Sequence, residues 1–295
     1  MKISLITACY NSAATIRTCF DSVLSQQGVD LEYIVVDGGS KDGTVSLIQE
    51  FESTIGNRER VTGNREDNGS TRSTCSTRLT FKYISEPDRG MYDAINKGIK
   101  MATGDIVGIL NADDMFESPD TLAHIVSAFD DSSVPRSPLP VPQRIDALYA
   151  DIRFVKDDLQ TTSRYYSAKH WKPWMLQWGK MPPHPSVYIR RELFGTLGLY
   201  KLGYDIAADY ELLIRYLRKA CVKARYLNEC VVRMRMGGKS TRGWKSFMTL
   251  NREIVRGNRE NGYFCCFPML LPKYLFKIFE FILPRLGIKR QGEKQ

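Results

Sequence analysis

No stretch of this chain reaches the roughly 18 uncharged apolar residues that a spanning helix needs, so none is expected. The opening segment, MKISLITACYN, holds one Lys and a short apolar run. It lacks the long apolar core and small-residue cleavage site of a secretory signal, which favours a cytoplasmic protein. The seven cysteines (Cys9, Cys19, Cys75, Cys221, Cys230, Cys265 and Cys266) are odd in number and scattered, with no CxxC pair and no Cys/His ligand spacing. A disulfide framework and a structural zinc site are thereby excluded, and reduced thiols are expected. No internal repeat is visible. At 43% apolar and 25% charged, the 295 residues supply a sizeable core and argue against wholesale disorder.

Charge is unevenly spread. From Arg233 onward there are 14 Lys+Arg against 4 Asp+Glu, a net of +10; the first 232 residues hold 28 against 29, a net of −1. A near-neutral body with a basic, aromatic tail points to an anionic surface or substrate met through that tail.

Short apolar runs alternate with helical patterns along the body. ISLITAC (3–9) reads as a buried strand, followed by a helix with Ile16, Phe20, Val23 and Leu24 on one face. LEYIVV (31–36) is a second strand, then a helix from about Thr44 carrying Val45, Leu47, Ile48 and Phe51. FKYI (81–84), a helix over 91–102 and DIVGIL (105–110) complete the series. Such alternation predicts an α/β protein with a mostly parallel sheet flanked by helices. Residues 56–80 are almost purely polar and read as a mobile surface insertion. Residues 131–144, with four prolines, read as an extended loop.

The expected division is a main domain over 1–232 and a basic, aromatic C-terminal region over 233–295. Past Pro272, the residues Lys273, Lys277 and Glu280 share one helical face, with Leu275, Ile278, Phe279, Ile282, Leu283 and Leu286 filling the rest. That pattern describes an amphipathic helix lying in a membrane interface or packed on the domain's own core. Lys289 and Arg290 beyond it favour anionic headgroups. The expected location is therefore peripheral, on the inner face of the membrane.

Two motifs close strands. Asn111-Ala112-Asp113-Asp114 follows the fourth strand, at the edge where α/β sheets bind ligands. Adjacent carboxylates there suit Mg²⁺ or Mn²⁺, which take one or two carboxylates plus phosphate oxygens; a helix N-cap is the alternative. Asp37-Gly38-Gly39-Ser40-Lys41-Asp42-Gly43-Thr44 ends the second strand and opens a helix without a GxGxxG fingerprint. Asp37 can accept from a base or ribose, and Asp42 or Thr44 can cap the helix.

Taken together, ISLITACYN, IVVDGGSKDGT and SEPDRGMYDAINKGIKMATGDIVGILNADD resemble, in order and spacing, the inverting family-2 glycosyltransferases of GT-A fold that build bacterial surface polysaccharides. The resemblance covers about the first 130 residues and returns near 184–240. It implies a Rossmann-like GT-A domain and a nucleotide-sugar donor, a UDP-sugar foremost. Thr7, Ala8 and Tyr10 would line the uridine pocket, and Asp37 would pair with the base. Asp88 and Asn96 would flank the ribose and diphosphate. Asp114 would bind Mn²⁺ or Mg²⁺, with Asp113 beside it; the first acidic position of the usual motif is Asn111. DIAADYELLIR (205–215) resembles the family's ED-type block, with Ala208 in place of the Glu and Asp209 at the position of the base.

An inverting displacement needs one carboxylate to take the acceptor hydroxyl's proton. Asp209 is the first candidate and Glu211 the alternative. His184, in PPHPS, touches acceptor or diphosphate or is structural. Arg235 and Lys239, around Gly237-Gly238, form a basic loop over the diphosphate or a plain surface turn. Trp171, Trp174 and Trp178 are an acceptor platform or core packing. The expected partners are a nucleotide-sugar, a saccharide or polyprenyl-linked acceptor, and an anionic membrane. Nucleic acid is disfavoured, because the tail's Phe/Leu/Ile content suits lipid better. A sugar nucleotidyltransferase is the second enzyme class, weakened by Thr-Ala-Cys-Tyr-Asn-Ser where a glycine-rich basic loop is expected. A non-catalytic nucleotide-binding module is the third.

Overall fold

The computed structural model describes residues 1–63, 77–130, 144–236 and 243–274. In chain order the elements are β1 (Lys2–Cys9), α1 (Ile16–Leu24), β2 (Asp30–Asp37), α2 (Thr44–Gly63), β3 (Arg78–Ser85), α3 (Met91–Met101), β4 (Ile106–Ile109), β5 (Met115–Phe116), α4 (Thr121–Asp130), β6 (Ala147–Val155), β7 (Thr162–Tyr166), β8 (Tyr188–Arg190), α5 (Glu192–Leu197), α6 (Ala208–Leu213), β9 (Ala224–Arg235) and α7 (Gly243–Glu260). They build one sheet in the order β3-β2-β1-β4-β8-β6-β9-β5, with β7 paired to β6.

Pairing is parallel across β3, β2, β1 and β4, as the alternation predicts. Beyond β4 the sheet turns mixed: β8 is antiparallel to both neighbours, β6 and β9 are parallel, and β5 closes the far edge antiparallel. Those later strands are joined by irregular segments and a hairpin, so helical periodicity could not reveal them.

β1 and β2 are buried on both faces, which is why both read as nearly continuous apolar runs. Their alternating side chains feed two cores. Ile6, Ile34 and Val36 join Ile95 and Ile99 of α3 on one face. Ile3, Leu5, Leu31, Tyr33 and Val35 meet Ile16, Phe20 and Val23 of α1 on the other. Leu24, expected on that helical face, stays half exposed, and Cys19 takes the buried position instead.

Three boundaries differ from expectation. α2 runs to Gly63 and β3 starts at Arg78, so both elements enter the 56–80 stretch, whose residues 64–76 lie outside the described residues. Most of the proline-rich 131–144 segment also lies outside them, as do Lys239 and the tail helix beyond Tyr274. Finally, the division at residue 232 falls inside β9. Ile254 and Val255 of α7, with Cys265 and Leu270, share a core with Tyr210, Leu213 and Leu217, so this part of the C-terminal region is built into the domain.

One buried carboxylate pins the parallel half. Glu32 of β2 accepts from Ser4 Oγ of β1 (2.5 Å), Lys82 Nζ of β3 (2.7 Å) and the Thr103 backbone N–H ahead of β4 (2.7 Å). Burial pushes its pKa up, but Lys82, Ser4 and Thr103 outweigh that and hold it at about 2. A depressed folded pKa adds stability above the unfolded value of 4.5 that is lost as pH falls toward 2. Glu32→Gln is expected to cost about 2 kcal/mol at neutral pH and to flatten the stability profile across that acid window. Urea unfolding against pH measures both, and an unchanged acid slope would remove Glu32 as its source.

Candidate functional site

The chain leaves β1 toward β2 and β3 on one side, and returns to β4 on the other side of β1. Neighbouring strands whose connections diverge leave a crevice beyond their C-terminal ends, the usual ligand position in such sheets. Here its walls are the loops after β1, β2 and β4.

The loops after β1 and β2 are zipped together. Asn11 takes a left-handed backbone (φ 49°) and donates its N–H to Ser40 Oγ at 2.7 Å, while its Oδ1 accepts from the Lys41 N–H at 2.9 Å. Ser12 N–H reaches Thr44 Oγ1, and Ala13 N–H reaches Asp42 Oδ2. Asp42 Oδ1 accepts from the N–H of Thr44, the first residue of α2, satisfying one of that helix's leading donors from just ahead of Gly43. Tyr10 is left with its ring exposed at the crevice mouth (59% accessible).

Three residues expected at the nucleotide, Thr7, Asp37 and Asn96, make hydrogen bonds within the scaffold. Thr7 is wholly buried, donating to the Leu110 carbonyl at 2.8 Å and accepting from Tyr33 OH, so it ties β1 to the end of β4. Strand alternation puts Ala8 on the opposite face, half exposed. Asp37 is buried, and its oxygens accept from Gly39 N–H, Ser40 N–H and Oγ, and Ser85 Oγ. Burial raises its pKa, but these donors outweigh burial and bring it down. Asn96 exchanges two hydrogen bonds with the Tyr200 backbone (2.8 and 3.0 Å). Each makes hydrogen bonds that shape the wall. Asp88, by contrast, is half exposed and lies against Gly38, where an added Cβ would come within 2.5 Å of Asp88 Oδ2.

The acidic pair sits between β4 and β5. Asp113 is half exposed; Asp114 is 1% exposed. Asn111 Nδ2 donates to Asp114 Oδ2 at 2.7 Å, so the amide at the motif's first position supplies a donor where an acid would add a third charge. Asp114 Oδ1 has no partner among the described residues. Burial and the neighbouring Asp113 push the Asp114 pKa well up, against the opposing pull of Asn111 and of the Arg235 backbone and charge. Arg235 reaches this place because β9 pairs with β5, Met115 opposite Arg233; its guanidinium donates to Thr18 Oγ1 at 3.0 Å. A buried carboxylate oxygen with an open lone pair beside a second carboxylate fits a hard divalent cation. No group of three or more His, Cys, Asp or Glu ligands occurs among the described residues, so phosphate oxygens would complete the shell.

Asp209 lies outside those three loops, on the first turn of α6. Its Oδ1 accepts from the Tyr210 N–H at 2.8 Å; the Tyr92 hydroxyl donates to the Ile206 carbonyl at 2.5 Å and makes a longer, weaker second contact to Asp209 Oδ1 at 3.3 Å. Burial raises its pKa, while His184, Tyr210 and Tyr92 oppose the rise. His184 lies nearby with Nε2 2.7 Å from Tyr200 OH; burial lowers its pKa against the pull of Asp209, which favours a neutral imidazole. Tyr92 and Tyr200 stack at 5.8 Å. Tyr92 opens α3 two residues after Gly90, whose N–H is held by Asp88 Oδ1 at 2.8 Å. One continuous wall thus runs from the Gly38 loop to Asp209.

Glu211, two residues on, is fully buried and taken by Arg215, Lys201 and Asn261. Those cations and the amide outweigh burial and lower its pKa, the opposite direction to Asp209. Trp171 is buried, with Nε1 donating to the Lys180 carbonyl; Trp174 and Trp178 are exposed.

Sequence reasoning missed Tyr92, Tyr200 and Glu253. Glu253 of α7 accepts the backbone N–H groups of Asp205 (2.6 Å), Ile206 (2.9 Å) and Ala207 (2.8 Å), fixing the turn into α6. The two tyrosines look like core aromatics, and Glu253 acts across about 50 residues; only MYDAIN within the motif block gave Tyr92 any signal.

Because the Tyr92 hydroxyl stabilises the charged form of Asp209, Tyr92→Phe is expected to move the Asp209 titration midpoint to higher pH. Carboxyl-detected NMR measures this, and an unmoved or lower midpoint would sever Tyr92 from the pair.

Residues 4–134 match the family described as Glycosyl transferase family 2. A PGL/p-HBAD biosynthesis glycosyltransferase of Mycobacterium bovis is 29% identical over 228 residues, spanning 77% of this chain and 74% of the relative. An uncharacterized glycosyltransferase of Mycobacterium tuberculosis is 28% identical over 219 residues, 72% of this chain and 68% of its own. Among solved structures, S. aureus TarS 1–349 in complex with UDP-GlcNAc superimposes with TM-score 0.56 at 16% identity, over 87% of this chain and 66% of that one. Mannosyltransferase PcManGT from Pyrobaculum calidifontis, in complex with GDP-Man and Mn²⁺, does so with TM-score 0.56 at 19% identity, over 97% of this chain and 71% of that one. The crevice, the acidic pair and the motif blocks thus lie in a chain whose residues 4–134 match the family-2 glycosyltransferase model, whose relatives are glycosyltransferases by name, and whose fold is the GT-A fold.

Proposed function

We propose that the chain transfers a sugar, with inversion at the anomeric carbon, from a nucleotide-sugar to a hydroxyl of a saccharide or polyprenyl-linked acceptor. The observation that carries the reading is Asp209: a carboxylate made more basic by burial, oriented by Tyr92, and continuous through α3 with the wall that ends at Gly38 and Asp88. Solved neighbours hold UDP-GlcNAc and GDP-Man, which supports a nucleotide-sugar donor; we take a UDP-sugar as the first candidate.

In this reading the exposed Tyr10 ring stacks on the base, Ala8 leaves room for it, and Asp88 takes the ribose hydroxyls. Asp113 and Asp114 hold Mn²⁺ or Mg²⁺, the ion seen with PcManGT being Mn²⁺; when bound, it neutralises charge on the departing diphosphate. Asp209 removes the acceptor hydroxyl's proton as that oxygen bonds to the anomeric carbon and the sugar–phosphate bond breaks. The electron pair leaves with the diphosphate and the proton stays on Asp209. His184, neutral and held by Tyr200, borders Asp209 on the acceptor side. Arg235 supplies positive charge near the diphosphate, and Lys239 belongs to the same expected loop. The net charge of +10 beyond residue 232 supports a peripheral position on the inner membrane face, where a lipid-linked acceptor is met.

Purified protein incubated with Mn²⁺ or Mg²⁺ and a panel of UDP-, GDP- and dTDP-sugars is expected to release nucleotide from one of them. Asp209→Asn should slow release on the order of 10²–10⁴-fold with donor affinity kept. Asp114→Ala should abolish the metal dependence of donor binding by calorimetry. A full-rate Asp209→Asn enzyme, or no nucleotide-sugar bound with metal present, would overturn the reading.

A further inference from the structure

Of the eleven exposed large hydrophobic residues described, six fall in one layer: Trp174, Trp178, Trp244, Phe264, Phe267 and Leu271. The segments bearing them touch. Gln177 Nε2 donates to the Phe264 carbonyl at 2.7 Å, and Phe267–Leu270 packs on both Pro173–Trp178 and α7. Exposed apolar residues scattered singly need no explanation; their collection on joined segments does.

The same layer is basic. From Gly243 to Tyr274 it carries Lys245, Arg252, Arg256, Arg259 and Lys273 against Glu253 and Glu260 alone. Both glutamates are spent internally, Glu253 on the turn before α6 and Glu260 on Lys201, Arg256 and Tyr204. Arg252, Arg256 and Arg259 are exposed at i, i+4 and i+7, on one face of α7. With Val255, Glu260 and Phe267 they line a groove of about 300 Å³. Arg256 also donates to the Gly203 carbonyl, and Arg259 to that of Cys265; Arg252 has no ion pair among the described residues.

We propose that this face docks on an anionic phospholipid bilayer, with headgroup phosphates at the three arginines and Phe264, Phe267 and Leu271 in the acyl boundary. Arginines beside exposed Trp, Phe and Leu on joined segments complement a surface that is negative outside and apolar beneath. The proposal deepens the membrane-side reading given above, and it rests on the folded domain instead of the tail beyond Tyr274.

The full chain is sedimented with vesicles of phosphatidylglycerol and phosphatidylcholine, or of phosphatidylcholine alone, at low and high salt. Binding to the anionic vesicles only, weakened by salt, is expected. Arg252→Ala should lower partitioning about fivefold, and Phe264→Ser with Leu271→Ser tenfold or more. These variants should keep wild-type nucleotide release in solution, so a failed donor site and a failed docking face give different results. Equal binding to neutral vesicles, or variants that bind as wild type does, would overturn the proposal. So would a self-associated chain that the same variants return to monomer, because the face would then belong to a second copy.

Discussion

β1 and β4 run side by side, Ile3 to Ile6 against Ile106 to Ile109, and the chain leaves their ends in opposite directions. That divergence opens the crevice, and keeping it open requires that nothing slide. Thr7, Glu32 and Asn96 meet this need with buried hydrogen bonds between segments roughly 70 to 100 residues apart in sequence. A buried polar side chain is costly unless every partner is present. The scaffold therefore has one arrangement in which these groups are all satisfied, and the donor loops inherit its geometry.

The parallel half of the fold and the order of its motifs were legible because double-faced burial writes itself as apolar runs. Asp113, Asp114 and Asp209 stood out in sequence through the strand-end acidic pair and the resemblance to the family's motif blocks, and the structure places them after β4 and on the first turn of α6. Burial of the polar atoms was not legible. Thr7, Asp37 and Asn96 carry the right chemistry for a nucleotide pocket, yet strand alternation and neighbouring loops turn them inward. Likewise Asp209 and Glu211 are equivalent in sequence, and only the surroundings separate them. Asp209 is partly buried, has no cation among its hydrogen-bond partners and becomes more basic; Glu211 meets Arg215 and Lys201 and becomes more acidic.

The antiparallel strands were hidden for a different reason. β5 has two residues and β8 three, too short for any periodic pattern. Both matter to the site all the same. β5 draws β9, and with it Arg235, beside the acidic pair. β8 sets the end of the His184–Ser186 turn against β6 through Ser186 Oγ and the Ala150 carbonyl at 2.7 Å. Long-range pairing, not local propensity, brings Arg235 and the His184–Ser186 turn into place.

Glu253 joins two tasks that the sequence keeps 44 residues apart, Asp209 on α6 and Glu253 on α7. Its carboxylate closes the three backbone donors of the turn that presents Asp209, while Arg252 and Arg256 on the same helix face outward. The outer helix is thus a buttress as well as a surface. Losing the Glu253 carboxylate releases the Asp205–Ala207 turn, whereas changes at the outward Arg252 leave it held. A lesion at Glu253 thus reaches Asp209 from the outer helix.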